Sequence, residues 1–210
     1  LQLSAQTSIT ALSITPAFPA QNGKISFVYN KTLSPLIKQD NVEIVVYQFT
    51  GKTLKASEPV ITKKGSLFSG SLLLDSNTNC IAFGFSAGEE KDANGGKGYI
   101  FPVYTDKKIP VKEYYASASS LQNGYGEYLF GMSVDAAKGL SELEDGIKQY
   151  PDLKSDAAFL GTYLNAINRA KKKEAPVLIL NELLAFENKG NLTEAGYNTM
   201  IQWYSRDKRK

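Results

Sequence analysis

Histidine is absent from this 210-residue chain, and cysteine occurs once, as Cys80. The missing histidine removes the commonest general base and, with the missing cysteines, most metal-ligating sets. A single cysteine forms no intramolecular disulfide and no C-x-x-C redox centre. Cys80 lies in Cys80-Ile81-Ala82-Phe83-Gly84-Phe85, an apolar strand pattern, so its thiol is expected to be buried and structural. No run is long and apolar enough to span a membrane. Charge of one sign is also in short supply. The net charge of +3 and the pI of about 8.7 are too mild to call for nucleic acid.

What is present is ordinary for a folded protein, with 42% hydrophobic and 21% charged residues. The 12 tyrosines and 10 phenylalanines suit half-buried strands and polar-edged surfaces. Two basic clusters, Lys171-Lys172-Lys173 and Arg206-Asp207-Lys208-Arg209-Lys210, read as solvated helix or chain ends. At the other end, Leu3-Ser4-Ala5 resembles the small-residue end of a signal peptide. Residues 1–7 are therefore expected to be a signal-peptide remnant or disordered, and the protein to be exported to the periplasm or cell envelope.

The pattern of residues changes near residue 116. Before it, apolar residues alternate in short runs. Ile25, Phe27 and Tyr29 share one face of a strand, and residues 42–49 read as a central strand. Residues 8–15 form an edge-strand candidate that ends at Pro16 and Pro19. Asn22-Gly23 marks a tight turn, and residues 59–62 and 67–74 pair across a loop at 63–66. Roughly seven strands in about 100 residues predict an immunoglobulin-like β-sandwich over residues 8–113.

Beyond it the period becomes helical. Leu140, Leu143, Ile147 and Tyr150 form a stripe that Ser133 is expected to cap and Pro151 to stop. Further helices start at Ser155-Asp156, at Pro176 and at Thr193, with Gly190 ending the one that starts at Pro176. A preceding small-residue helix from Ala116 is expected to break at Gly124 or Gly126. Residues 114–210 are predicted to be an antiparallel helical bundle with tetratricopeptide-like repeats, although the Trp-Leu-Gly-Tyr signature of that repeat is absent. The fold class is thus α+β in two domains.

No motif carries chemistry convincingly. Asp92-Ala93-Asn94-Gly95-Gly96 has the oxygen density of a calcium loop, but Asp, Asn and Gly also favour turns, and the turn is expected. Glu142, Glu144 and Asp145 share one helix, whereas paired carboxylates act across a cleft, so a solvated helix face is expected. Gly95-Gly96-Lys97-Gly98 lacks the spacing of a phosphate loop. The sequons at Asn30 and Asn191 are short chance-prone patterns. No catalytic, cofactor or metal residue is assigned. Tyr99, Tyr104, Tyr114, Tyr115 and Tyr125 cluster around the change of pattern. They are expected to form an interdomain or partner surface. The link at residues 112–116 lacks Gly and Pro, so the two halves are expected to pack as one unit.

The run Asp92-Ala93-Asn94-Gly95-Gly96-Lys97-Gly98-Tyr99 is followed by Pro102, Tyr104, Pro110 and Ala116-Ser117-Ala118. With the opening Thr15-Pro16-Ala17-Phe18-Pro19, it resembles the N-terminal region of exported thioredoxin-like thiol-disulfide oxidoreductases of Gram-negative bacteria. The resemblance implies a sandwich whose D-x-N-G-G-x-x-Y turn leads into a helical segment, followed in such proteins by a thioredoxin domain bearing C-x-x-C. That motif is absent here, so no catalytic residue carries over. The resemblance implies a non-catalytic binding or spacer module, with protein partners that include a C-terminal thioredoxin-like domain. The alternative is a stand-alone cell-envelope domain that binds carbohydrate or protein.

Overall fold

Alternation of apolar and polar residues builds the first half of the chain, and an i, i+3/i+4 pattern builds the second. The structure is a computed structural model that describes residues 10–51, 53–190 and 192–206. The expected leader remnant at 1–7, Asn191 of the second sequon and residues 207–210 of the last basic cluster lie outside the described residues. The chain divides into a β unit, residues 1–111 with 129–132, and a helical unit, residues 112–128 with 133–210. With antiparallel sheets in one unit and helices in the other, the class is α+β.

The β unit contains two antiparallel sheets. In the first, β1 (Leu12–Thr15), β2 (Lys24–Asn30), β6 (Leu67–Leu73) and β5 (Thr62–Lys64) lie side by side in the order β1-β2-β6-β5. In the second, β3 (Glu43–Phe49) lies between β4 (Leu54–Ser57) and β7 (Cys80–Ala87). Both β8 (Glu90–Lys91) and β9 (Tyr99–Pro102) pair with β7. The alternation in β2 is realised: Ile25, Phe27 and Tyr29 are buried, and Lys24, Ser26 and Val28 face solvent. The two sheets meet through these side chains. The Phe27 ring meets Phe83 edge-on at 5.1 Å, and Tyr29 stacks on Phe85 at 3.9 Å. Gly70 pairs with Phe27 in register, and a Cβ there would stand 2.8 Å from the Phe27 ring.

One hairpin differs from expectation. Lys64 pairs with Leu67, so the turn is the two residues Gly65-Ser66 rather than a loop over 63–66. Gly65 has φ of 60°, which a glycine adopts without strain. The strand before it starts at Thr62, after Pro59, which has no N–H to offer a ladder.

The helical unit opens with α1 (Tyr114–Ser120), a π-turn over Leu121–Tyr125 and α2 (Gly126–Phe130), whose last residues belong to the β unit. Then follow α3 (Ala136–Gln149), α4 (Ala157–Lys171), α5 (Ala175–Glu187) and α6 (Glu194–Tyr204). Asp135, not Ser133, caps α3. Its carboxylate accepts from the Lys138 N–H at 2.8 Å, placing a negative charge at the positive end of the helix. Asp156 caps α4 in the same way, the Thr193 hydroxyl oxygen accepts from the Gly196 N–H to cap α6, and Pro176 stands in the first turn of α5. Helix α4 is central and touches α3, α5 and α6. The shared core includes Leu140, Leu143, Leu160, Leu164, Ile167 and Trp203. No helix among the described residues is long and apolar enough to cross a membrane.

Candidate functional site

The glycine-rich loop that attracts attention in the sequence is organised from inside the β unit. Asp92 is buried, and its Oδ2 accepts hydrogen bonds from the Tyr29 hydroxyl at 2.9 Å and the Tyr99 hydroxyl at 2.8 Å. Its Oδ1 accepts from the Asn94 N–H at 2.9 Å, and the Asn94 side-chain amide donates to the Gly98 carbonyl at 3.0 Å. Asn94, Gly95, Gly96 and Gly98 all have positive φ, the conformation that Asn and Gly tolerate best. Burial, reinforced by the adjacent carboxylate, pushes the Tyr29 and Tyr99 phenols well above their ordinary pKa. Asp92 thus points inward to two phenols, and this loop is a turn held by a buried carboxylate. Among the described residues no group of three or more His, Cys, Asp or Glu could hold a metal ion.

The five tyrosines singled out in the sequence occupy different settings. Tyr99 is buried in the Asp92 network. Tyr104 is half-buried, meets Phe18 edge-on at 5.0 Å, and has its pKa raised by burial. In the helical unit, Tyr114 and Tyr115 are in edge contact at 5.4 Å. Tyr115 is buried against Tyr150 and Gly146, where a Cβ would stand 2.7 Å from its ring. Only Tyr125 has the exposure of a binding side chain, 43%, and it lines a cleft.

That cleft lies in the helical unit and has a volume of about 740 Å³. One wall is the π-turn, a feature that recurs at functional sites. Gly124 makes the turn possible with φ of 123°, which side chains rarely adopt. The opposite wall is α4, through Thr162, Asn165, Ala166 and Arg169. The Arg169 guanidinium donates from Nη1 to the Asn123 carbonyl at 2.6 Å. The Asn123 amide nitrogen donates to the Ser119 carbonyl at 2.9 Å and the Ser119 hydroxyl at 3.2 Å. Its buried Oδ1 has no hydrogen-bond partner. The side chain fits a notch left by Gly139, where a Cβ would approach within 2.4 Å.

Polar side chains line the cleft beside these. Ser120 and Thr162 donate their hydroxyls to carbonyls one turn back, at 2.9 and 3.1 Å, and Asn165 donates its amide to the Gly161 carbonyl at 2.9 Å. Tyr128, 80% exposed, and Val134 supply apolar surface beside Tyr125. Asn123, Asn165 and Arg169 carry no sequence signature. They converge because the π-turn and α4 come together, whereas Tyr125 and the break at Gly124 or Gly126 are legible in the sequence. No family model matches the sequence, and neither a curated protein nor a solved structure matches it.

Proposed function

We propose that this chain is the non-catalytic N-terminal binding and spacer module of an exported thiol-disulfide oxidoreductase, working in the periplasm or cell envelope ahead of a thioredoxin-like domain. One observation carries the reading. The residues on which the resemblance rests act as a single device, because Asp92 and Tyr99 of the D-x-N-G-G-x-x-Y run hydrogen-bond to each other at 2.8 Å and Asn94 closes the turn between them. Residues with a joint physical task make a more specific signature than a scatter of turn formers.

Two further features are consistent with it. The order β1-β2-β6-β5 in one sheet, and in the other β3 between β4 and β7 with β9 also on β7, supports an immunoglobulin-like reading. In the helical unit α3, α4 and α5 each pack on the next, as helices do in tetratricopeptide-like arrays. The lone Cys80 is buried, and under this reading thiol exchange would belong to a following domain.

The deciding experiment is to read the coding sequence after the Lys210 codon and to assay both products for insulin reduction. A C-x-x-C domain whose presence confers reductase activity, with none from this chain alone, is the expected result. A stop codon directly after Lys210 overturns the reading. It would favour a stand-alone envelope domain binding carbohydrate or protein, for which the exposed Tyr125 and Tyr128 at the cleft speak.

A further inference from the structure

We infer that the cleft between the π-turn and α4 is a receptor for an extended peptide segment carrying a single carboxylate, with the Arg169 guanidinium as its anchor. The inference rests on the protein-binding half of the function proposed above. Arg169 is held in orientation by its hydrogen bond to the Asn123 carbonyl. It takes part in none of the ion pairs among the described residues, which join Lys55 to Asp75, Lys112 to Asp152, Lys138 to Glu142, Lys148 to Asp145 and Lys154 to Glu182. A guanidinium has five N–H donors in a planar fork, and one bond to a carbonyl leaves most of that fork to a ligand. Oriented by that bond and engaged in none of those ion pairs, it is available to a carboxylate.

The rest of the lining narrows the ligand. Glu127 shares the cleft with Arg169, so the lining carries one charge of each sign. That opposes a dianion such as phosphate and permits a monoanion. Asn165 uses one amide N–H on the Gly161 carbonyl, which leaves its side-chain oxygen to accept an N–H and its second N–H to donate. The peptide backbone offers such donors at every residue other than proline. Tyr125 and Tyr128 then provide large, rigid surface for a neighbouring side chain at small entropic cost. The carboxylate can be a chain terminus or an Asp or Glu side chain, and the two are separated by experiment.

The test uses the whole 210-residue chain, isotope-labelled, and follows backbone amide resonances during titration. The probes are N-acetyl-tetra-alanine with a free C-terminus, the same peptide as its C-terminal amide, an amidated peptide with one internal aspartate, and sodium acetate. The expected result is saturable shifts confined to residues 119–128 and 162–169, caused by at least one carboxylate peptide and at least tenfold weaker with the fully amidated one. Response to the free terminus alone identifies a C-terminal ligand, and response to the internal aspartate identifies a side-chain carboxylate. Arg169→Gln removes the anchor but also a bond to the turn, so Asn165→Asp is the companion variant. It places an acid one helical turn from Arg169, where it pairs with the guanidinium from within. Both variants are expected to weaken binding at least tenfold. Equal binding of the amidated peptide, undiminished binding by Asn165→Asp, absence of any shift, or equal shifts from acetate at the same concentration overturns the inference. None of these results bears on whether a C-x-x-C domain follows Lys210.

Discussion

Asp92 shows how much one buried side chain can organise. Two phenol hydroxyls and one backbone N–H converge on its carboxylate, and two of these partners, Tyr29 and Tyr99, come from different sheets. Replacing it by alanine leaves both hydroxyls buried without an acceptor. Hydrogen bonds to charged groups and orphaned buried donors each cost on the order of 1–3 kcal/mol. Asp92→Ala is therefore expected to destabilise the β unit by about 3 kcal/mol. In a thermal melt followed by near-ultraviolet circular dichroism, a fall in midpoint of less than about 2 °C would contradict this. A second residue gives a pH dependence. Burial, then the nearby Glu182 and Glu144, raises the Tyr163 phenol to about 12. An unfolded phenol ionises near pH 10. Its folded-state pKa is the higher one, so its contribution is complete below pH 10 and is lost as the pH climbs towards 12. Trp203, the chain's one tryptophan, sits in the same helical core and reports on that unit. The urea midpoint from its fluorescence should fall between pH 10 and 12, and Tyr163→Phe should flatten the fall. An unchanged slope in that variant would remove Tyr163 as the cause.

At the scale of elements, the glycines of α3 set how closely α1 and the π-turn approach it. Gly139 receives the Asn123 side chain and Gly146 receives the Tyr115 ring, and a Cβ at either would come within 3.0 Å of them. In most helices Gly→Ala stabilises by up to about 1 kcal/mol. Here the sign should reverse, with Gly139→Ala and Gly146→Ala each costing about 1–3 kcal/mol because the neighbouring side chain has to move. Gly161 in α4 is the internal control. A Cβ there meets nothing nearer than the Thr199 methyl at 4.0 Å. Gly161→Ala should stabilise by about 0.5–1 kcal/mol. Urea titration of the three variants through Trp203 fluorescence decides the matter, and three shifts of the same sign would refute the close-approach account. Caps belong to the same scale. Ser133 has the right chemistry for an N-cap, but Asp135 holds that place because its carboxylate meets the Lys138 N–H three residues on. Both residues are good caps, and the spacing to the first core residue does not choose between them.

For the whole molecule, the lone cysteine gives the plainest expectation. Cys80 is fully buried in β7, where Phe49 and Pro102 are its register partners. A thiol reagent should label the native chain slowly and the guanidinium-unfolded chain at once. Fast labelling without denaturant would show that β7 opens readily and is not the centre of its sheet. The division of the chain also appears only at this scale. Residues 129–132 belong to the β unit although helical-unit residues flank them on both sides. Phe130 meets the Tyr47 ring edge-on at 4.9 Å, and Met132 fills the space beside Gly98. No periodicity announces such a return, because each anchor is a single apolar side chain in an irregular stretch.

The amino-acid order alone determined the elements that depend on near neighbours. Alternation placed Ile25, Phe27 and Tyr29 on one buried face, and Thr193, Asp156, Pro176 and Gly190 marked helix ends by their local hydrogen bonding and backbone preferences. It also determined that no dithiol or histidine chemistry resides in these residues. Only the tertiary structure decided what Asp92 is for, since a turn-forming acid and a buried acceptor of two tyrosines read alike until Tyr29, 63 residues away, is brought beside it. The same holds for the cleft. Asn123 and Arg169 lie 46 residues apart, and their meeting depends on the π-turn, the Gly139 notch and the packing around α4. Local rules cover a few residues of chain, whereas a binding site is made by groups that only the folded core holds together.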